Sequence, residues 1–220
     1  GVNRIDSTGL GDGIFVSSAL SASGYGAGND IHTQTQTGKI ATVNAGTAAS
    51  SCAVSATNGG SNTIDGDAAG GDTNVVLTAA LGSGTGMYAG QDAENHIVRA
   101  ATAAVTAKDG MVAENDGLNT LDAFGAVRLA VVTAGLNAVN GGNEISAGGD
   151  MTVIAVNTTA AEASYGMRTQ ATSGAARNTV ALQNDKTLTV SVDSTMGAAV
   201  GMETRANAAL GTASATTDVS

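Results

Sequence analysis

The sequence predicts an all-β chain: a parallel β-helix, or three-faced β-solenoid, of about seven coils with 24 to 35 residues each. Three observations predict it. A short motif, Asn-x-Ile/Leu/Val, returns along the whole chain. Stretches of strict period-two alternation recur between its copies. The 220 residues contain no proline, where average usage would place about eleven, and proline lacks the N–H that long ladders require.

The motif stands at Asn3 to Ile5, Asn29 to Ile31, Asn62 to Ile64, Asn95 to Ile97, Asn119 to Leu121, Asn143 to Ile145 and Asn178 to Val180. Successive asparagines are 26, 33, 33, 24, 24 and 35 residues apart. A weaker eighth copy begins at Asn207, with Leu210 slipped by one. Two further elements lie inside the units. One is the alternating run, as in Val75–Ala79, Val127–Val131, Met151–Val156 and Leu188–Val192. In the last of these Leu188, Val190 and Val192 point one way while Thr189 and Ser191 point the other, which is the period of a strand. The other is Gly-Met, at Gly86-Met87, Gly110-Met111, Gly166-Met167 and Gly201-Met202, with Gly24-Tyr25 expected in the same place of the first unit.

Each unit therefore consists of three short strands joined by turns rich in Gly, Asn, Asp and Ser, and insertions in the turns account for the variable unit length. Coils stacked at the strand spacing of about 4.8 Å make a rod roughly 30 to 35 Å long. Val, Ile, Leu and Phe supply only 41 of the 220 residues, and aromatics 2%. A narrow core filled by small side chains explains both. The same thin composition borders on disorder, but a net charge of −10 and a mean hydropathy of +0.10 favour an ordered chain. The whole of 1–220 forms a single domain. Residue 1 is Gly and no leader follows it, so the chain is expected to be a portion of a longer protein. Residues 91–139, dense in Ala, can also be drawn on helices. Asn95, Gly110-Met111 and Asn119 stand there in repeat phase, and strand is the expectation.

The asparagines admit two roles. Structurally, each takes a left-handed conformation at a corner and its amide bonds up the stack. Functionally, an exposed Asn binds glycan. The apolar residue two positions on favours the structural role, and each Gly-Met is expected to supply a core methionine after a tight turn.

Composition and motifs exclude several functions. An isoelectric point near 4.3, with three Lys and six Arg scattered along the chain, lacks the basic patch of a nucleic-acid binder. No apolar run approaches a spanning helix. The lone Cys52 makes no internal disulfide and is expected as a small buried side chain. Gly24–Gly28 and Gly82–Gly86 lack the Lys-Ser/Thr of a phosphate loop and are turns. His32 and His96 lie in different units without metal-ligand spacing, and no G-x-S-x-G elbow is present.

Acidic clusters are the remaining chemistry. Fourteen of the 19 acidic residues are Asp, several among glycines, notably Asp65-Gly66-Asp67 with Gly70-Gly71-Asp72 and Gly11-Asp12-Gly13. Asp65, Asp67 and Asp72 form a weak calcium candidate, although the tandem Gly-Gly-x-Gly-x-Asp nonapeptide is absent. No catalytic residue and no cofactor is assigned. A polysaccharide-acting β-helix enzyme is the catalytic alternative, with Arg99, Lys108 and Arg128 available to meet uronate charge but no aromatic platform beside them in the sequence.

Asn-x-Ile, then a run such as Leu188–Val192, then Tyr165-Gly166-Met167 or Val200-Gly201-Met202, resembles the degenerate repeats in passenger regions of bacterial autotransporter and adhesin-like surface proteins. The resemblance covers residues 3 to 210. It implies a right-handed parallel β-helix exported to the cell surface, in a family with adhesive, aggregative and occasionally enzymatic members, and the expectation is a non-catalytic stalk or adhesin module that mediates adhesion or aggregation. Host or neighbouring-cell glycans or proteins are the expected partners, with no nucleic acid and no membrane insertion by this segment. The other expectation is a subunit of an extracellular fibre that associates end to end.

Overall fold

A computed structural model describes residues 1–7, 15–16, 20–33, 40–44, 52–66, 73–158, 161–207 and 212–220. Among these residues the regular structure is all β, and every strand pairing is parallel. Numbered in chain order, the strands fall into three ladders. The first is a sheet of eight: β1 (Val2–Ser7), β4 (Gly28–Thr33), β7 (Ser61–Asp65), β10 (Glu94–Ala100), β12 (Leu118–Ala123), β14 (Gly142–Ala147), β17 (Gly174–Leu182) and β20 (Ala213–Val219). The second runs through β2 (Phe15–Val16), β5 (Ile40–Asn44), β8 (Asn74–Thr78), the first half of β11 (Thr102–Glu114), the first half of β13 (Val127–Val139), β15 (Met151–Asn157) and β18 (Leu188–Ser194). The third holds β3 (Leu20–Ser23), β6 (Cys52–Thr57), β9 (Thr85–Gly90), the second halves of β11 and β13, β16 (Ser164–Ala171) and β19 (Ala199–Ala206). Because β11 and β13 bend from one ladder into the next at a register shift, the second and third ladders join into one sheet of twelve strands.

The three sequence elements map onto the three ladders. Asn3, Asn29, Asn62, Asn95, Asn119, Asn143 and Asn178 stand in one unbroken register. Unit length varies from 24 to 35 residues, yet each Asn still meets the next, so the turns absorb the difference. Residues 91–139, the stretch that can be drawn as helix, are strands.

The asparagines bear out half of their expected role. Asn62, Asn95, Asn119, Asn143 and Asn178 are fully buried inside strands, and the left-handed residues lie three or four positions upstream, at Asn58, Asp92, Asp116 and Asn140. The two-residue spacing to Ile is strand alternation: Asn62 and Ile64 both face inward. Each amide donates one N–H to the next Asn Oδ1, at 3.1 Å from Asn3 to Asn29, 2.8 Å to Asn62, and 2.9 Å at every later step to Asn178. The second N–H goes across to a third-ladder carbonyl: Ser21, Ser55, Tyr88, Val112, Asn137 and Arg168. Burying so polar a side chain is tolerated because both protons find acceptors.

The stack changes character after Asn178. In register with it is Thr217 of β20, not Asn207, so the eighth copy lies later than the motif suggests; Leu210 lies outside the described residues. Asn178 donates to Thr169 Oγ1 at 2.8 Å. Thr169 shares a hydroxyl–hydroxyl bond with Thr217, 2.7 Å away, and Thr217 shares another with Thr204 at 2.8 Å, so the amide column continues as a chain of hydroxyls.

Around the amides lies a core of small side chains. Leu20, Val54, Met87, Met111, Leu136, Met167 and Met202 occupy one register position of the third ladder, which places Leu20, not Tyr25, in the first unit. Tyr25 lies on a turn and is 83% exposed. The glycines before Met87, Met111 and Met167 have a steric reason. A Cβ on Gly110 would stand 2.4 Å from Gly135 O, and one on Gly166 would stand 2.2 Å from Val190 Cγ1. Only a residue without a side chain lets the chain bend here while the second ladder's Val packs inward.

Candidate functional site

Asp65, at the end of β7, accepts two hydrogen bonds from Arg99, one from Nε at 2.8 Å and one from Nη2. His32, its register neighbour on β4, brings Nε2 to 3.9 Å of the same carboxylate. Arg99 holds a left-handed backbone (φ 56°) at the register shift of β10, so the ion pair pins an unfavourable conformation. The Asp65 carboxylate thus faces a guanidinium. Asp67 and Asp72, the other two members of the calcium candidate, lie outside the described residues, as does Asp12. Among the described residues no three His, Cys, Asp or Glu side chains gather as a metal site.

The three cations considered together in the sequence are dispersed. Arg99 serves Asp65, Arg128 is exposed on the second ladder, and Lys108 sits at the corner between the second and third, 3.3 Å from Glu162. His96 bonds Thr120 Oγ1 at 2.7 Å and Glu94 at 2.9 Å. Cys52 is half-buried, and burial raises its thiol pKa.

Two tyrosines and an ion network that the linear motifs did not reveal share the third ladder. Arg168 lies over the Tyr165 ring at 4.9 Å from its centre, and its Nε is 3.4 Å from Glu203, which Arg205 holds at 2.6 Å. The 3.4 Å approach lacks hydrogen-bond alignment, and the Arg205 contact is the stronger. Tyr88 donates to Glu114 at 3.2 Å; burial first, then that carboxylate, raises its pKa. Asp109, in the bend of β11, is pushed up to about 6 by burial, partly opposed by Lys108 and by a hydrogen bond from the Ala134 backbone. The signal available in the sequence was Lys108-Asp109 before Gly110-Met111, a charged pair at the point where the chain turns inward.

The ladders present unlike surfaces. Outward positions of the first include Asp30, Glu94, His96, Asp122, Glu144, Arg177 and Asp218. Those of the second are Val76, Thr78, Ala104, Thr106, Ala130, Thr152 and Ile154, with Arg128 among them. No protein-family model, curated protein or solved structure matches the chain.

Proposed function

We propose that the chain is a three-faced parallel β-solenoid of about seven coils and works as a non-catalytic, extracellular or cell-surface module, a stalk or adhesin segment. One observation carries the reading: seven asparagines stay in a single hydrogen-bonded column although the units between them differ by up to eleven residues (35 − 24). Such a chain gains length one strand layer at a time and varies its turns without disturbing its core. That suits a projecting surface element, and side chains repeating on the outer faces suit weak multivalent contact with glycans or proteins of another cell.

The reading is tested in two parts. Small-angle scattering on the 220-residue chain and on a tandem duplicate of it is expected to show the long dimension roughly doubling at constant cross-section, and growth in every dimension would overturn the rod. Display of the chain on a non-adherent bacterium is then expected to raise attachment to cells or to a glycan array. Attachment no better than that of a scrambled-repeat control would remove adhesion and leave a structural spacer.

A further inference from the structure

The first ladder carries a column of outward positions, in register from strand to strand: Val2, Gly28, Ser61, Glu94, Leu118, Gly142, Arg177 and Thr216. Where the column reaches glycine the surface is notched. The recess at Gly142 holds about 230 Å³ and is lined by Leu118, Arg177, Asp116, Gly117 and Gly141. Its chemistry differs on each side. Leu118, one strand before Gly142, offers an apolar wall, and Arg177, one strand after, offers a guanidinium, each about 4.8 Å away along the ladder. Asp116, on the turn before β12, completes the rim with a carboxylate.

Both charged groups are exposed, and neither has a hydrogen bond or ion pair of its side chain among the described residues. This contrasts with Arg99, Lys108, Arg168 and Arg205, all bound to carboxylates. Arg128 is also unengaged, but it stands on a strand face and lines none of the recesses named. The floor has room because Gly142 has no side chain: a Cβ there would project toward the tip of Leu118, 3.1 Å away, into the recess itself.

From this we infer that the Gly142 recess binds one pyranose unit of a uronic-acid polysaccharide. The sugar's C–H face lies on Leu118, its carboxylate pairs with Arg177, and its hydroxyls donate to Asp116. A planar fork of donors beside an open notch is the geometry that selects a carboxylate over a neutral ring. The inference rests on the adhesion reading and assigns that reading a ligand class.

The test is calorimetric titration of the intact 220-residue chain with an oligogalacturonate, with a neutral glucan of equal length and a sulfated glucan as controls. Oligogalacturonate is expected to bind, the neutral glucan to bind at least about tenfold more weakly, and the sulfated chain not to compete on charge alone. Gly142→Val, which fills the notch, and Arg177→Gln, which removes the charge, are each expected to lower affinity about tenfold or more. Both positions face outward, so circular dichroism and the melting temperature should stay near the parent values; the Ser61→Val variant, in the same column away from the recess, should bind as the parent does. Oligogalacturonate binding that both variants leave intact would overturn the site while adhesion stands. Equal binding of neutral and acidic chains, unaffected by Arg177→Gln, would overturn the ligand class. If no glycan binds here and the displayed chain also fails to attach, the adhesion reading falls with it.

Discussion

Met111 and Met202 follow the same glycine, in the same ladder at the same register position, yet Met111 is fully buried and Met202 is 57% exposed. The difference is what lies beyond them. Met111 is sandwiched between Met87 and Leu136, whereas Met202 has Met167 on one side and no strand of the described residues on the other. Gly110 and Gly201 repeat the lesson: a Cβ on the first would collide with a carbonyl, while one on the second would meet nothing within 4 Å. In this molecule a residue acquires its surroundings mainly from the layers above and below, and identical motifs carry different energies according to their place in the stack.

The largest effect is expected in the amide column. Asn119→Leu leaves Asn95 without its acceptor and strands the buried acceptors Asn143 Oδ1 and Val112 O, at a cost of about 4 kcal/mol. Asn3→Leu at the exposed start of the column should cost under about 1 kcal/mol. Chemical denaturation of the pair measures the contrast, and equal losses would mean that the column adds nothing beyond packing. Next come the methionines: Met111→Ala should lose about 3 kcal/mol and Met202→Ala well under about 1 kcal/mol. Gly110→Ala should then cost about 2 kcal/mol and Gly201→Ala close to nothing, since only the first must displace backbone. Comparable melting-temperature shifts for both glycine variants would show that backbone entropy, not stacking, governs the position.

The last effect is one of pH. Asp109 has a folded-state pKa of about 6 against an ordinary value of 3.8, so the folded chain holds its proton more tightly than the unfolded chain does. Its contribution is therefore fully present below about pH 4 and is lost as pH rises through 6. Asp109→Asn should remove that decline and leave the protein about 2 kcal/mol more stable than the parent at pH 7.5. Denaturation curves at pH 4 and 7.5 check it; an unchanged pH dependence in the variant would place the titrating group elsewhere.

Much of the architecture was legible in the residues because a fixed motif forces a fixed layer. Asn, any residue, then Ile is two inward positions of one strand; Leu188, Val190 and Val192 against Thr189 and Ser191 is the same rule on the second ladder; the absence of proline matches ladders that need every N–H. Reading the asparagines as corner residues failed because asparagine suits both a left-handed turn and a buried amide stack. Position in the strand alone separates the two, and the real corners carry Asn58, Asp92, Asp116 and Asn140. Tyr25 was mistaken for a core position because Gly-Tyr imitates Gly-Met, while the residue that fills the position, Leu20, has no glycine before it.

The sites were less legible than the ladders, for a physical reason. Parallel stacking joins residues 24 to 35 positions apart, so Asp65 meets Arg99, and Leu118, Gly142 and Arg177 come to line one notch, with no linear pattern to announce either grouping. What repeats is already written in the residue pattern: strand period, inward residue type, and turns that tolerate insertion. Tertiary structure alone decided what the repeats place side by side, namely the direction of the amide column, its handover to Thr217, the exposure of Met202 and the recess at Gly142. Inward identity is a local consequence of hydrophobicity and alternation, whereas the outer surface is composed across layers by register, which only the folded chain sets.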